Sequence, residues 1–390
     1  MRRFLRLALY LFGALLVLAL GAGLWYREEL ARLHAVNTLF DEGRIVGNFS
    51  NMEGAFLTTP VPQGDGPVLP LGSGTPLSLP DDVAAWMAAT DATGIVVLDG
   101  DTILYEDSYL GTGADDLRIS WSLAKSFLSA LFGISVAQGE LALEEDVTVY
   151  APQLSGGAYD GVTLRQVLQM ETGVTFDEDY LDPRSDINRM GRVIALGGTM
   201  DGFAAALTER DRPAGMRWTY NSIDTHVLAM VLRGATGKPL ATLLSERLLA
   251  PLGLEAEPYY LTDGEGVAFA LGGLNLRLRD YARFGLMIAQ GGQAQGRQIV
   301  PADWVDESTR PQAATEPGKM RYGFHWWIPW DARAEEVLGR GVYGQFLYID
   351  KADDIVIVIT AADRQFRATG SYDRALSALR TLADAVRDQR

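Results

Sequence analysis

The sequence predicts an α+β fold: an antiparallel sheet built from N- and C-terminal segments, flanked by helices, with a mainly helical region inserted between them. Three observations predict it. "GIVVLDGDTILYEDSYLG" reads as two strands joined at an Asp-Gly turn, and "GQFLYIDKADDIVIVIT" near the C-terminus is a second hairpin. From residue 122 to about 290, apolar residues recur at helical spacing between Gly- and Pro-containing loops. Each hairpin has a helix beside it, "DDVAAWMAAT" in the first case and "DRALSALRTLADAVRDQR" in the second. These patterns predict a domain over 81–390, with its sheet part at 81–121 and 290–390 and its helical part at 122–289. No repeat occurs at solenoid periods.

Ahead of the domain, "MRRFLRLALYLFGALLVLALGAGLWYREEL" puts Arg2, Arg3 and Arg6 before an uncharged run from Leu7 to Tyr26. About 20 apolar residues suffice to cross a bilayer as a helix. The arginines hold the N-terminus in the cytoplasm, so the domain is expected on the far side, exported. Residues 1–26 are read as a retained anchor because the apolar run is longer than most signal cores. A cleavable signal peptide, with "ALGAG" at its cleavage region, is the alternative. Residues 27–80 read as a connecting region. It holds a short amphipathic helix, "REELARLHAVNTLF", and then a Pro- and Gly-rich stretch expected to run as extended surface loop.

Composition narrows the chemistry. The 390-residue chain is 48% hydrophobic, enough for a large core, and carries a net charge of −16. That charge argues against nucleic acid or an anionic membrane face as the main partner. With no cysteine, a disulfide scaffold, a thiolate nucleophile and cysteine-ligated metals are excluded. Three histidines leave no histidine-rich metal cluster, and neither a metal nor a cofactor is expected.

One short stretch stands out, "WSLAKSF" at 121–127. Only four of the 34 basic residues are lysines, and Lys125 sits where leucine would pack well. Ser122, Lys125, Ser126 and Ser129 share one face of an otherwise apolar helix, and that polar stripe is expected to face a cleft. Burial disfavours an ammonium, so Lys125 is a candidate base for Ser122 one turn earlier. Ser122 near the helix start also brings a free backbone N–H suited to an oxyanion. Further on, Tyr220 precedes another apolar helix, and a phenol beside an ammonium favours the phenolate, which can relay a proton. "GRGVYGQFLYID" opens a strand with three glycines, so its backbone can approach a ligand closely. A serine–histidine–acid triad would need His226 or His325, and no Gly-x-Ser-x-Gly elbow exists. His226 reads as a hydrogen-bonded core residue and His325 as packing or cleft lining.

Serine-lysine pair, tyrosine about a hundred residues later, then a glycine-rich edge strand: over residues 80–385 the chain resembles the serine β-lactamase and penicillin-binding-protein superfamily. Within it the chain is most similar to the class C-like branch containing esterases and 6-aminohexanoate-dimer hydrolases. "VLQMETGVTFDEDYLDPRSD", "GGLNLRLRDYARFGLMIAQGG", "GRQIVPADWV" and "YGFHWW" occur in the order of that branch. The resemblance implies Ser122 as acylated nucleophile, Lys125 as its base and Tyr220 as proton shuttle. It implies an oxyanion hole from the N–H groups of Ser122 and Val342, and substrate contacts from Tyr180, Asn221 and Gln345. Two positions depart from the pattern. Ser222 stands where the tyrosine element usually has asparagine, and Gly339-Arg340-Gly341 lacks the lysine of the third element, for which Arg340 is a candidate substitute.

The sequence therefore predicts a membrane-anchored serine hydrolase of linear esters or amides. A cell-wall D,D-peptidase or β-lactamase, or a sensor that acylates once without turnover, are the alternatives.

Overall fold

The computed structural model describes residues 2–390. Its main sheet has eight strands. From one edge they run Arg321–Tyr322, Trp327–Ile328, Glu336–Gly341, Gln345–Asp350, Ile355–Ala361, Ala92–Asp99, Thr102–Ser108 and Gly72–Ser73, antiparallel except for the last pair. The junction of chain ends lies at its centre, where Ile359 pairs with Ile95 and Val358 with Val96. "IVIVITA" is buried at every position because both faces of that strand are covered, which removes the polar alternation of a half-exposed strand. On one face Ile95, Val97, Ile357 and Ile359 pack with the helices Asp81–Ala89 and Ser371–Gln389. On the other, Val96, Leu98, Val356 and Val358 meet the rest of the molecule. Each such side chain contributes about 1.5–3 kcal/mol by leaving water. The Asp99-Gly100 turn predicted between the first two strands is present, with Gly100 at φ 55°.

The helix Leu278–Ala289 lies flat on the sheet, although its number put it in the helical part. A Cβ on Gly285 would stand 2.6 Å from Val356 and 2.7 Å from Leu347, so only glycine permits that approach.

A second, four-stranded antiparallel sheet has no clear signature in the sequence. Its order is Thr58–Pro60, Tyr259–Leu261, Leu274–Leu276 and Arg118–Ile119. Strands of two or three residues are too short for a period-2 pattern to register. This sheet has two consequences for the site. It holds the segment just before Ser122, with the Ser120 N–H donating to Leu274 O at 2.8 Å. It also ties down residues 58–60.

Within residues 27–80 the Pro- and Gly-rich stretch runs as the extended, mostly exposed loop expected of it, but the segment between it and the amphipathic helix is more than a connector. The amphipathic helix is there, Arg27–Asn37. Beyond it, Leu39, Ile45, Phe49, Met52 and Val61 are all buried in the main core. The Asn48 amide fastens the segment by donating to Leu39 O at 2.9 Å. The N-terminal helix Arg2–Trp25 touches little of the domain and is exposed along its length. It is long and apolar enough to cross a membrane.

Candidate active site

Ser122 sits in a single 3-10 turn, Trp121–Leu123, that runs directly into the helix Ala124–Ala137. Trp121 adopts φ 44°, a left-handed backbone rare for a large side chain. Its indole is held by Phe49 at 5.3 Å, Phe40 at 5.8 Å and Tyr343 at 6.3 Å between ring centres. Aromatic packing thus fixes the corner from which the serine projects. At this corner the Ser122 N–H belongs to the first turn, where no intrahelical acceptor is available.

Lys125 is 1% exposed, and its Nζ lies 2.8 Å from Ser122 Oγ. Two further oxygens complete its surroundings, Leu271 O at 2.8 Å and Ser222 Oγ at 3.3 Å. A neutral amine has two N–H donors and one lone pair. Those three partners match it if Leu271 and Ser222 accept while the Ser122 hydroxyl donates. Burial lowers the Lys125 pKa to about 7, against a smaller opposing pull from the Glu178 and Asp224 carboxylates. The amine is therefore available as a base near neutral pH.

Tyr220 closes the other side. Its ring centre is 5.3 Å from Lys125 Nζ, and it stacks on Trp327 at 5.2 Å. Burial, helped by the Glu178 carboxylate, raises the Tyr220 pKa; hydrogen bonds with Ser122 and Ser222 and the charge of Arg340 oppose the rise. This reverses the expected phenolate: burial outweighs the nearby amine, and Tyr220 carries its proton.

Glu178 is the site residue that sequence reasoning missed. Its carboxylate accepts from the Ser222 N–H at 2.9 Å, from the Ser222 hydroxyl, and from the Tyr180 hydroxyl at 2.6 Å. The hydroxyl of Ser222, directed at Glu178, presents its lone pairs to Lys125. Ser222 thus has a structural use of its own where asparagine is usual. Two residues on, Asp224 is fully buried, bonded by Tyr159 at 2.6 Å and by Thr172, and burial raises its pKa to about 8.

The glycine-rich strand lies against the serine. A Cβ on Gly339 would stand 2.3 Å from Leu123, and one on Gly341 2.4 Å from Ser120 O. Val342 begins the three-residue turn after this strand and, like Ser122, lines the cavity. Because Ser120 O is backbone and cannot swing aside, Gly341→Ala is expected to displace Val342 from the serine. An ångström of misplacement costs about a hundredfold, so kcat should fall by roughly that factor while binding changes less. Steady-state kinetics of the variant check this.

Strand alternation sends Arg340 the other way. Its guanidinium lies over Tyr372 at 4.0 Å and Trp327 at 4.8 Å, so its side chain lies toward the face carrying the C-terminal helix and does not line the Ser122 cavity. Gln345 also departs from expectation. Its amide is spent on the turn, donating to Val342 O at 3.2 Å, Tyr343 O at 3.2 Å and Ala361 O at 2.8 Å. Asn221 is buried outside the cavity lining, whereas Tyr180 lines the cavity as expected. The polar stripe is likewise only partly turned to the cleft. Ser126 donates to His325 O at 2.9 Å, and Ser129 is fully buried. Neither histidine lines the cavity. His226 is bonded to Asp201 at 2.8 Å, and burial lowers His325 to about 3.

Ser122, Tyr180, Ser222 and Val342 border a cavity of about 310 Å³. Phe40 and Met52, from the segment expected to be a connector, form part of its wall. The assembly brings together a serine hydroxyl, a buried amine and a protonated phenol, groups chemically capable of acyl transfer.

Comparison with known proteins agrees. Residues 83–381 match the family model described as Beta-lactamase. The chain is 31% identical over 291 residues to the 6-aminohexanoate-dimer hydrolase of Paenarthrobacter ureafaciens, covering 71% of this chain and 74% of that one. A Bacillus anthracis protein provisionally named a 6-aminohexanoate-dimer hydrolase superposes with TM-score 0.80 at 23% identity, covering 90% of this chain and 96% of the other. A D-stereospecific amidohydrolase from Streptomyces shares the fold at TM-score 0.57 and 20% identity, over 77% and 98% of the two chains. The 90% coverage takes in part of residues 27–80, consistent with their burial in the core. With a family match over most of its length and a curated relative at this identity, the chain belongs to the beta-lactamase family and is a serine hydrolase.

Proposed function

We propose that this protein is an exported, membrane-anchored hydrolase that cleaves a linear ester or amide through an acyl-enzyme on Ser122. The observation that carries the reading is the 2.8 Å contact between Ser122 Oγ and a lysine that is 1% exposed. Neutral Lys125 takes the hydroxyl proton as Ser122 Oγ attacks the carbonyl carbon. The resulting oxyanion is held by the N–H groups of Ser122 and Val342. Tyr220 gives its phenolic proton to the departing alkoxide or amine, and the proton on Lys125 restores it. In the second half neutral Lys125 takes a proton from water, relayed through the Tyr220 hydroxyl, as the water oxygen attacks the acyl carbon. The bond from the acyl carbon to Ser122 Oγ then breaks, and the proton held on Lys125 passes to Ser122 Oγ, releasing the acid and free Ser122.

The substrate class is argued from the pocket. A β-lactam needs a cation for its carboxylate on the third element, and Arg340 faces away. It also needs an amide contact from the asparagine position, where Ser222 is engaged with Glu178. Losing one charge-assisted hydrogen bond costs about 1.5–3 kcal/mol, roughly one to two orders of magnitude in rate. A linear ester or amide, like the dimer for which the Paenarthrobacter relative is named, requires neither contact. We therefore expect p-nitrophenyl acetate or butyrate to exceed nitrocefin by at least about tenfold in kcat/KM. Nitrocefin matching the esters would overturn the substrate reading, and a burst that stops at one equivalent would indicate a sensor.

Export and anchoring rest on the Arg2–Trp25 helix and the arginines before its apolar run. Protease added to intact spheroplasts should digest everything after about residue 27. Full protection would place the domain inside, and complete release as soluble protein would indicate a cleaved signal.

A further inference from the structure

The lining of the Ser122 cavity is mostly carbon. Val36, Phe40, Ile187, Ile194 and Phe269 all contribute to it. Arg192 is the one charged residue of the lining, and no carboxylate contributes to it. A ligand ammonium entering there would lose its hydration, and the Glu178 carboxylate behind the lining is already engaged by Ser222 and Tyr180. An aliphatic chain faces no such cost and gains about fourfold in binding for each methylene it buries.

The origin of the wall is the second observation. The helix Arg27–Asn37 follows the apolar helix Arg2–Trp25 after a single residue, and Val36 and Asn37 at its far end line the cavity. The rise from Arg27 to Val36 is only about 14 Å. This helix packs directly against its neighbour in the lining, since Arg32 Nε donates to Ala195 O at 3.1 Å, at the end of the helix Asp186–Ala195 that carries Ile187 and Ile194, and a Cβ on Gly191 of that helix would stand 4.0 Å from Val36. Large aliphatic residues stand exposed at both ends of that stretch: Leu181 is 77% exposed beside Tyr180, and Leu196 is 54% exposed beside Ala195.

We propose that the Ser122 cavity takes an ester or amide whose acyl part is an unbranched aliphatic chain, received from the bilayer that holds the N-terminal helix. The proposal rests on the serine-hydrolase and anchor readings above and adds the substrate's chemistry and its route. An amphiphile lying in the membrane beside the helix would lay its chain along the Val36, Phe40 and Ile187 lining and present its carbonyl to Ser122.

The test uses the full chain in phosphatidylcholine vesicles. With p-nitrophenyl acetate, butyrate, octanoate and laurate, kcat/KM should rise at least about tenfold from butyrate to octanoate. Hexanoyl p-nitroanilide should outrun 6-aminohexanoyl p-nitroanilide by at least about tenfold, because only the second brings an ammonium into the cavity. The laurate ester should be hydrolysed several-fold faster in the vesicles that hold the enzyme than in separate ones, and Val36→Asp should flatten the series. A flat or falling chain-length series on the unaltered protein, or a preference for the amino-terminated anilide, overturns the aliphatic substrate. Equal rates from shared and separate vesicles overturn delivery through the bilayer. Either failure leaves acetate turnover intact; if acetate is not hydrolysed, or Ser122→Ala hydrolyses it, the underlying hydrolase reading has failed instead.

Discussion

Ser122→Ala should reduce turnover by at least about three orders of magnitude while the melting temperature barely moves. The substitution removes one oxygen at the edge of a cavity and creates no void in the core. The corner is fixed by Trp121 and its aromatic neighbours, none of which touches the lost hydroxyl's role. Lys125 keeps Leu271 O and Ser222 as partners, so its amine is not stranded. Chemistry, by contrast, loses the atom that becomes acylated, and what remains is only the background supplied by binding and the backbone donors. Kinetics on an ester panel together with a thermal melt check both halves. Near-normal activity in the variant on every substrate would remove the basis for the mechanism.

A comparable loss is expected at Lys125. Lys125→Arg keeps the positive charge but cannot give up its proton near neutral pH, so it should be as inactive as Lys125→Ala. If Lys125 only neutralised the nearby Glu178 and Asp224, arginine would restore a good part of the activity. Retention of more than about a tenth would favour that structural role. The pH profile gives a second readout. Burial lowers the Lys125 pKa to about 7, and the reactive form is the deprotonated one. Activity should therefore rise with pH through about 7 and level off above it. A profile flat across that range, or one falling through it, would mean that another group supplies the base.

Some of this site was legible in the sequence for a definite reason. Residues three apart on a helix share a face whatever the tertiary context, so the Ser122–Lys125 pair could be read from spacing. A lysine in an apolar helix of a chain with four lysines supplied the burial argument. Tyr220 came from the order of motifs, and its location fits, but its proton state did not follow from the amine alone; burial decided it. Glu178 and Ser222 meet across 44 residues of chain, and no local pattern encodes such a contact. The direction of Arg340 was within reach. If Gly339 and Gly341 face the serine, the residue between them on a strand faces away.

The buried part of residues 27–80 stayed hidden for the opposite reason. Proline and glycine concentrate at 60–80, which is a mostly exposed loop, whereas the buried residues ahead of it show a helical spacing only over the short run Ile45, Phe49 and Met52, too brief to register as an element. The segment is held by the small sheet and by side-chain contacts to distant parts of the chain, so its role as cavity wall emerges only from the assembled fold.

The central claim is that Ser122 Oγ carries the acyl group between the two halves of the reaction. Rapid acid quench during turnover of p-nitrophenyl butyrate, followed by intact-mass and peptide mass measurement, tests it most directly. The account predicts one butyryl adduct per chain, confined to the peptide containing Ser122 and absent from Ser122→Ala. A butyryl group on any other residue, or one that persists in Ser122→Ala while turnover continues, would contradict it.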